Sequence, residues 1–196
     1  DLQTRLEQRY QATTDNCVIQ EADVVVICVP TPLGDAGRPD LHAVEVATRS
    51  IAENLHRQSL VILESTTYPG TTEELLLPAL EEGGRELDQD FYLAFSPERI
   101  DPGNKTYRLE NTPKVVGGVS SASGDLAVSF YSQFIEEVVK VKGAKEAETA
   151  KLLENTYRHI NIGLVNEMAK FSHELGIDIW EVIRAAKTKP FGFQAS

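Results

Sequence analysis

The chain has 196 residues, enough for one large domain or one and a half smaller ones. Apolar residues make up 41% and charged residues 25%, the composition of an ordinary water-soluble fold. A net charge of −11 argues against nucleic acid as the main partner, since phosphate backbones need a basic surface, yet a few local cations and amides can still hold a small anion.

The first residues predict a short helix from Leu2 to Arg9, a strand around Tyr10 to Thr13 and a capped turn. Val24 to Val29 is an unbroken β-branched run, the pattern of a strand buried on both faces, with Cys28 inside it as a buried thiol. Pro30-Thr-Pro32 stops the run. Asp40 is a good cap for a helix from Leu41 to Leu55, with Val44, Ala47, Ile51 and Leu55 on its apolar face. Leu60 to Leu63 predicts the next buried strand, and Thr71-Thr-Glu-Glu74 opens a helix reaching about Glu82. Further strands are predicted at Tyr92 to Phe95, Lys114 to Gly117 and Val138 to Val141, the last two separated by a helix from Ser123 to Phe134. This alternation predicts an α/β fold, a parallel Rossmann-like sheet with helices on both faces. Ligands on such sheets sit beyond the carboxyl ends of the strands, where Pro30-Thr31, Ser65-Thr66 and Ser96-Pro-Glu98 all fall.

From Glu146 the alternation stops. Glu146 to Leu175 predicts one helix of about thirty residues, about 45 Å long, with Gly163 its weak point and Gly176 its stop. Leu152, Leu153, Tyr157, Ile160, Ile162, Leu164, Val165, Met168 and Phe171 wrap most of its circumference, so it is expected to be packed on nearly every side, as a domain spine, a dimer interface or both. Asp178 caps a shorter helix to about Lys187. No run approaches the roughly 18 apolar residues of a membrane span, and no signal peptide is visible, so no membrane partner is expected. Two cysteines, Cys17 and Cys28, imply no disulfide framework, which fits a reducing, cytoplasmic setting.

Candidate chemistry gathers at a few positions. Lys151 and Asn155 lie four apart on one helix face, and Arg158 extends the stripe. A solvated face would account for that pattern, but the apolar neighbours predict burial around it, and a desolvated lysine can move protons or hold an oxyanion. Glu98 after Ser-Pro is either a loop residue or an active-site acid, and Thr66 is either turn chemistry or a hydrogen-bond partner for a water or alcohol oxygen. His42, His56, His159 and His173 are scattered without metal-ligand spacing, so no metal is expected. Gly117-Gly118 is too short to be a phosphate loop.

Cys28-Val-Pro-Thr-Pro32, Glu64-Ser-Thr66, Ser96-Pro-Glu-Arg99 with Asp101-Pro-Gly103, Val115-Val-Gly-Gly118, and Lys151 to Asn155 leading into Asn161 to Glu167 follow one another in order. With these the chain resembles the NAD-dependent nucleotide-sugar dehydrogenases, the group that includes UDP-glucose 6-dehydrogenase. The Glu-Arg-Ile-Asp-Pro-Gly version looks most like the branch acting on UDP-N-acetylhexosamines.

The resemblance implies two-step oxidation of the C6 alcohol of a UDP-sugar to a carboxylate by two NAD⁺, through a cysteine thioester that water hydrolyses. It implies that Lys151 stabilises the oxyanion or assists proton transfer, that Asn155 holds the reacting oxygen through water, and that Glu98 and Thr66 position the hydrolytic water. Pro30, Thr31, Ser65, Thr66 and Glu98 would contact the cofactor; Glu98, Arg99, Ile100, Lys151, Asn155 and Arg158 would line the nucleotide-sugar site. It divides the chain into the later part of an NAD-binding domain (residues 1–142) and the start of a helical central domain (residues 143–196), with homodimerisation through the long helix.

The family's Gly-rich NAD turn would precede Asp1, its nucleophilic cysteine would follow Ser196, and its UDP-binding domain is missing. The sequence therefore reads as an excerpt of a longer protein, with an uncovered sheet edge at Val24 to Val29 and no turnover by these residues alone. Two other readings remain. One is a β-hydroxyacid dehydrogenase, which shares the lysine and asparagine but lacks the element containing Glu98 and Arg99. The other is a dimerisation and partner-binding module without catalysis.

Overall fold

The computed structural model describes residues 10–34, 37–55 and 58–193. The expected helix from Leu2 to Arg9 lies outside them. The chain divides into two compact units, Asp1–Thr149 and Ala150–Ser196.

Five strands form the sheet of the first unit: β1 (Val24–Ile27), β2 (Ser59–Leu63), β3 (Phe91–Phe95), β4 (Lys114–Gly118) and β5 (Val138–Lys140), side by side in that order. β1, β2 and β3 run parallel, with Val24 opposite Leu60 and Leu60 opposite Tyr92. Parallel neighbours need a crossover between them. The first is α1 (His42–Asn54), whose leading amide at His42 donates to the Asp40 carboxylate at 2.9 Å. The second is a π-helical turn (Thr72–Leu76) that runs into α2 (Leu77–Glu81).

β4 departs from the uniformly parallel sheet expected from the sequence. It pairs antiparallel with β3, Ala94 facing Gly118 and Phe95 facing Gly117. No helix lies between Phe95 and Lys114 to carry the chain across the sheet, so it turns back beside the strand it has just left. A crossover through α3 (Ser121–Tyr131) then restores parallel pairing between β4 and β5. This reversal places Lys114, the first residue of β4, at the same edge of the sheet as the last residues of β1, β2 and β3.

Side-chain alternation divides the core. Val61 and Leu63 of β2, with Phe91, Leu93 and Phe95 of β3, pack with Val44 and Ile51 of α1 and Leu76 and Leu80 of the second crossover. Leu60 and Ile62 of β2, with Ala94 and Val116, pack with Ala127 and Tyr131 of α3. All five residues of β2 are buried, because it is flanked on both sides and covered on both faces. β1 does not meet the same expectation. It is an edge strand, α3 packs over β2 to β5, and Val26 is left 37% exposed. Tyr10 to Thr13 is exposed and forms no strand: β1 pairs with β2, and no ladder joins these residues to it.

Helix α4 (Ala144–Glu174) starts in the first unit and supplies most of the second, running unbroken through Gly163. It ends where Gly176 takes φ +68° and the Ile177 amide donates to the Ser172 carbonyl at 2.8 Å, a left-handed stop that glycine adopts without strain. Asp178 then caps α5 (Ile179–Ala186) by accepting from the Trp180 amide at 2.9 Å. The second unit does not cover its own apolar surface: Leu153 is 69% exposed and Ile160 66%. Two helices cannot enclose one that is apolar all round. No helix among the described residues is long and apolar enough to cross a membrane.

The glycine pair in β4 has a packing role. A Cβ on Gly117 would sit 2.1 Å from the Gly143 carbonyl oxygen, and one on Gly118 would sit 2.2 Å from the Gly124 nitrogen. Backbone therefore approaches backbone at both. Gly117→Ala is expected to lower stability by about 2 kcal/mol or more, the cost of overpacking against a backbone that cannot yield. An unchanged urea midpoint would contradict that close approach.

Candidate functional site

The three parallel strands end side by side, and the residues that follow them wall one cleft of ≈ 340 Å³, lined by Cys28, Val29, Pro30, Thr31, Glu64, Ser65, Thr66 and Glu98. Hydrogen bonds fix the walls. The Ser65 hydroxyl accepts from the Val29 amide at 2.9 Å and donates to the Val29 carbonyl at 2.7 Å. The Thr31 hydroxyl donates to the Thr66 carbonyl at 2.7 Å. Both hydroxyls spend their proton on backbone, which leaves their oxygens as acceptors. The Glu98 carboxylate accepts from the Ile100 amide two residues on, and Arg99 donates to the Pro113 carbonyl at 2.6 Å, which ties the reversing loop to the start of β4.

Of the residues singled out from the sequence, Pro30, Thr31, Ser65, Thr66 and Glu98 thus surround one cavity, while Arg99 and Ile100 do not line it. Lys151, Asn155 and Arg158 belong to the second unit. There Lys151 and Asn155 are half-buried and Arg158 is exposed, its guanidinium donating to the Asn155 side-chain oxygen at 2.9 Å.

A buried charge network stands behind the cleft, and sequence reasoning missed it. The Glu64 carboxylate receives the Lys114 ammonium at 2.7 Å and the Tyr131 hydroxyl on Oε1, and the Cys28 thiol at 3.6 Å on Oε2. Lys114 is 5% exposed, and its Nζ lies 4.9 Å from the centre of the Tyr131 ring. Only Glu64 carried a sequence signal, since an acid directly after a fully apolar strand sits at a ligand-bearing end. Lys114 was illegible because its position depends on the antiparallel return.

Cys28 is exposed at the cleft instead of buried inside a strand, because β1 ends at Ile27. Partial burial, chiefly, and the charge and hydrogen bond of Glu64 push its thiol up to about 11. Burial and the Glu64 hydrogen bond also push the Tyr131 hydroxyl well above its ordinary range.

Next to the cleft lies a second buried carboxylate. Glu148 of α4 is fully buried, and it accepts from the Gly70 amide at 2.5 Å, the Thr72 amide at 2.9 Å and the Thr72 hydroxyl at 2.7 Å. It caps the π-helical turn from a distant part of the chain. Burial raises its carboxyl, against the three hydrogen bonds that favour the ionised form. Lys145, one turn earlier, pairs with Glu73 at 2.9 Å.

Strand ends of a mostly parallel sheet, opening into a cleft of hydroxyl lone pairs and carboxylates, are the setting in which doubly wound domains bind dinucleotides. The comparisons with known proteins agree. The profile of the UDP-glucose/GDP-mannose dehydrogenase family NAD binding domain matches residues 2–135, and that of the family's central domain matches residues 145–196. The chain belongs to this family. It is 41% identical over 186 residues to UDP-N-acetyl-D-glucosamine 6-dehydrogenase of Salmonella typhi, covering 93% of this chain and 44% of that protein. It is 41% identical over 178 residues to UDP-N-acetyl-D-mannosamine dehydrogenase of Pyrococcus horikoshii, covering 88% of this chain and 41% of that protein. The solved structure of UDP-D-ManNAc dehydrogenase from Pyrococcus horikoshii superposes with a TM-score of 0.87 at 38% identity, covering 94% of this chain and 44% of that one. The chain therefore spans less than half the length of these relatives.

Two outcomes test the site's electrostatics. With its thiol near 11, Cys28 should be alkylated at pH 8 about a hundredfold more slowly than an ordinary cysteine, and Glu64→Gln should speed it up; a rate equal to that of a free thiol would refute the network. Glu148→Ala leaves buried amide and hydroxyl donors without their acceptor and should cost about 2–4 kcal/mol in chemical denaturation. A loss under about 0.5 kcal/mol, the range of an ordinary surface substitution, would contradict the cap.

Proposed function

We propose that the protein carrying this chain is an NAD-dependent UDP-sugar 6-dehydrogenase that oxidises a UDP-N-acetylhexosamine to the uronic acid. The observation that carries this reading is the in-order match to both the NAD-binding and the central domain of the family, with relatives named for UDP-N-acetylhexosamines. The two matched stretches support an NAD-binding part up to about residue 142 and a helical central part from residue 143. The family's UDP-binding domain lies outside both.

The cleft's chemistry suits one end of the cofactor. Val29 and Pro30 offer apolar surface for a flat ring, Thr31 and Ser65 offer acceptor lone pairs for ribose hydroxyls or a carboxamide, and Glu64 and Glu98 disfavour phosphate. NAD⁺, held by these residues, would supply the acceptor for the hydride of the sugar carbon. The protein's part is to orient that carbon and to move protons. On this reading Lys151 stabilises the developing oxyanion at C6 or assists the proton transfer, Asn155 holds the reacting oxygen through water, and Glu98 with Thr66 positions the hydrolytic water. Arg99, Ile100 and Arg158 contact the nucleotide sugar. The thioester-forming nucleophile is not Cys28, whose thiol stays protonated at neutral pH.

Leu153, Tyr157 and Ile160 expose more apolar helix surface than a solitary chain would keep, which supports a homodimer formed through α4. Membership of the nucleotide-sugar family separates the chain from the β-hydroxyacid dehydrogenases, and Ser96-Pro-Glu-Arg99 is the element that distinguishes them.

The decisive experiment follows NADH formation with UDP-N-acetylglucosamine and UDP-N-acetylmannosamine. Lys151→Ala should lower kcat by about a hundredfold or more, and Glu98→Gln should act mainly on the hydrolytic step. Turnover that survives Lys151→Ala unchanged would remove the proposed role of the helix stripe. In sedimentation, Leu153→Lys should shift a dimer towards monomer.

A further inference from the structure

We propose that Glu64 makes the cleft select the oxidised cofactor over the reduced one. This rests on the cofactor reading above and gives a specificity role to a residue to which the resemblance assigned none. The oxidised nicotinamide ring carries a positive charge and the reduced ring carries none. A site that holds a fixed negative charge against that ring binds the two forms unequally.

Glu64 is built for this task. Its Oε1 faces inward, to the Lys114 ammonium at 2.7 Å and to Tyr131. Its Oε2 faces the Cys28 thiol on the cleft wall, and Glu64 itself lines the cavity while Lys114 does not. The pair is thus an oriented dipole, negative end to the cleft and positive end packed against the Tyr131 ring. Among the described residues no Lys, Arg or His lines the cavity, so no cation there reverses the sign.

The Cys28 thiol, pushed up first by burial, also feels these charges from inside the cleft. Glu64 raises it more than Lys114 lowers it, and Glu98 raises it further. A two-step oxidation has to exchange a reduced cofactor for an oxidised one partway through the cycle, and a cleft that holds the neutral form less tightly favours that exchange.

The test measures dissociation constants of NAD⁺ and NADH for the whole protein that carries this chain, unaltered, as Glu64→Gln, and as the double variant Glu64→Gln with Lys114→Met. The double variant removes both members of the buried pair and so avoids stranding a lone ammonium, a replacement that buried pairs commonly tolerate. Both variants should weaken NAD⁺ by roughly three- to tenfold, the scale of one charge interaction at a partly screened site, while NADH stays within about twofold. Equal weakening of the two forms, or an unchanged ratio, overturns the proposal and leaves the cofactor reading intact. If the unaltered protein binds neither form, the cofactor reading itself falls, and this proposal falls with it.

Discussion

The Glu64–Lys114 pair is the constraint on which the site's geometry turns. It joins the end of one strand to the start of another that runs in the opposite direction, and it does so in the protein's interior, with Lys114 5% exposed. Removing two charges from water costs several kcal/mol per ion, so such a pair is poor evidence of net stability. Its consequence is geometric. If β4 slipped along β3, or ran parallel to it, an ammonium and a carboxylate would each be left buried alone, at a cost of about 3–5 kcal/mol. The pair therefore penalises wrong registers, and the register it favours places a carboxylate on the wall of the cleft. The Tyr131 hydroxyl, bonded to the same oxygen, adds α3 to the arrangement.

Glu148 solves a different problem with the same functional group. The π-helical turn at Thr72 has free amides at its head, and no neighbouring residue in sequence offers an acceptor to them. The acceptor comes instead from the first turns of α4. Glu64 has a cation beside it. Glu148 has only neutral donors, and burial pulls it towards the neutral form. Two buried carboxylates in one unit thus meet different surroundings, one an ammonium and the other neutral donors. Because Thr72 follows Thr66 after a single tight turn, the Glu148 cap also fixes the backbone that forms one wall of the cleft.

The strands were legible because their signal is local. β-branched and aromatic runs bounded by Pro, Gly and Asp predict strands whatever the rest of the chain does, and the helix that begins beyond Asp40 and the stop at Gly176 follow from capping chemistry alone. The cleft residues Thr31, Ser65, Thr66 and Glu98 were legible for a related reason: each comes two or three residues after the end of an apolar run, and parallel sheets present that region to ligands. What failed was non-local. Lys114 reads as an ordinary strand-edge lysine until the direction of β4 is known, and that direction depends on the lack of a crossover helix after Phe95. Cys28 was placed inside its strand because the apolar run continues past Ile27, although pairing with β2 ends there. Val26 and the apolar side of α4 were expected to be covered because apolar residues usually are, but periodicity does not say which chain does the covering.

The cleft's lack of cations bears on how a dinucleotide divides itself over this surface. A pyrophosphate needs amides at a helix N-terminus or basic side chains, and neither is found among the residues that line this cavity. Two carboxylates and a set of hydroxyl lone pairs repel phosphate and accept donors, so this part of the protein is suited only to the end of the cofactor that carries the ring, the carboxamide and a ribose. Charge thus works here as a directional filter. The acidity that argues against nucleic acid for the chain as a whole becomes, at this one place, a charge that disfavours the phosphate end of a small anionic molecule.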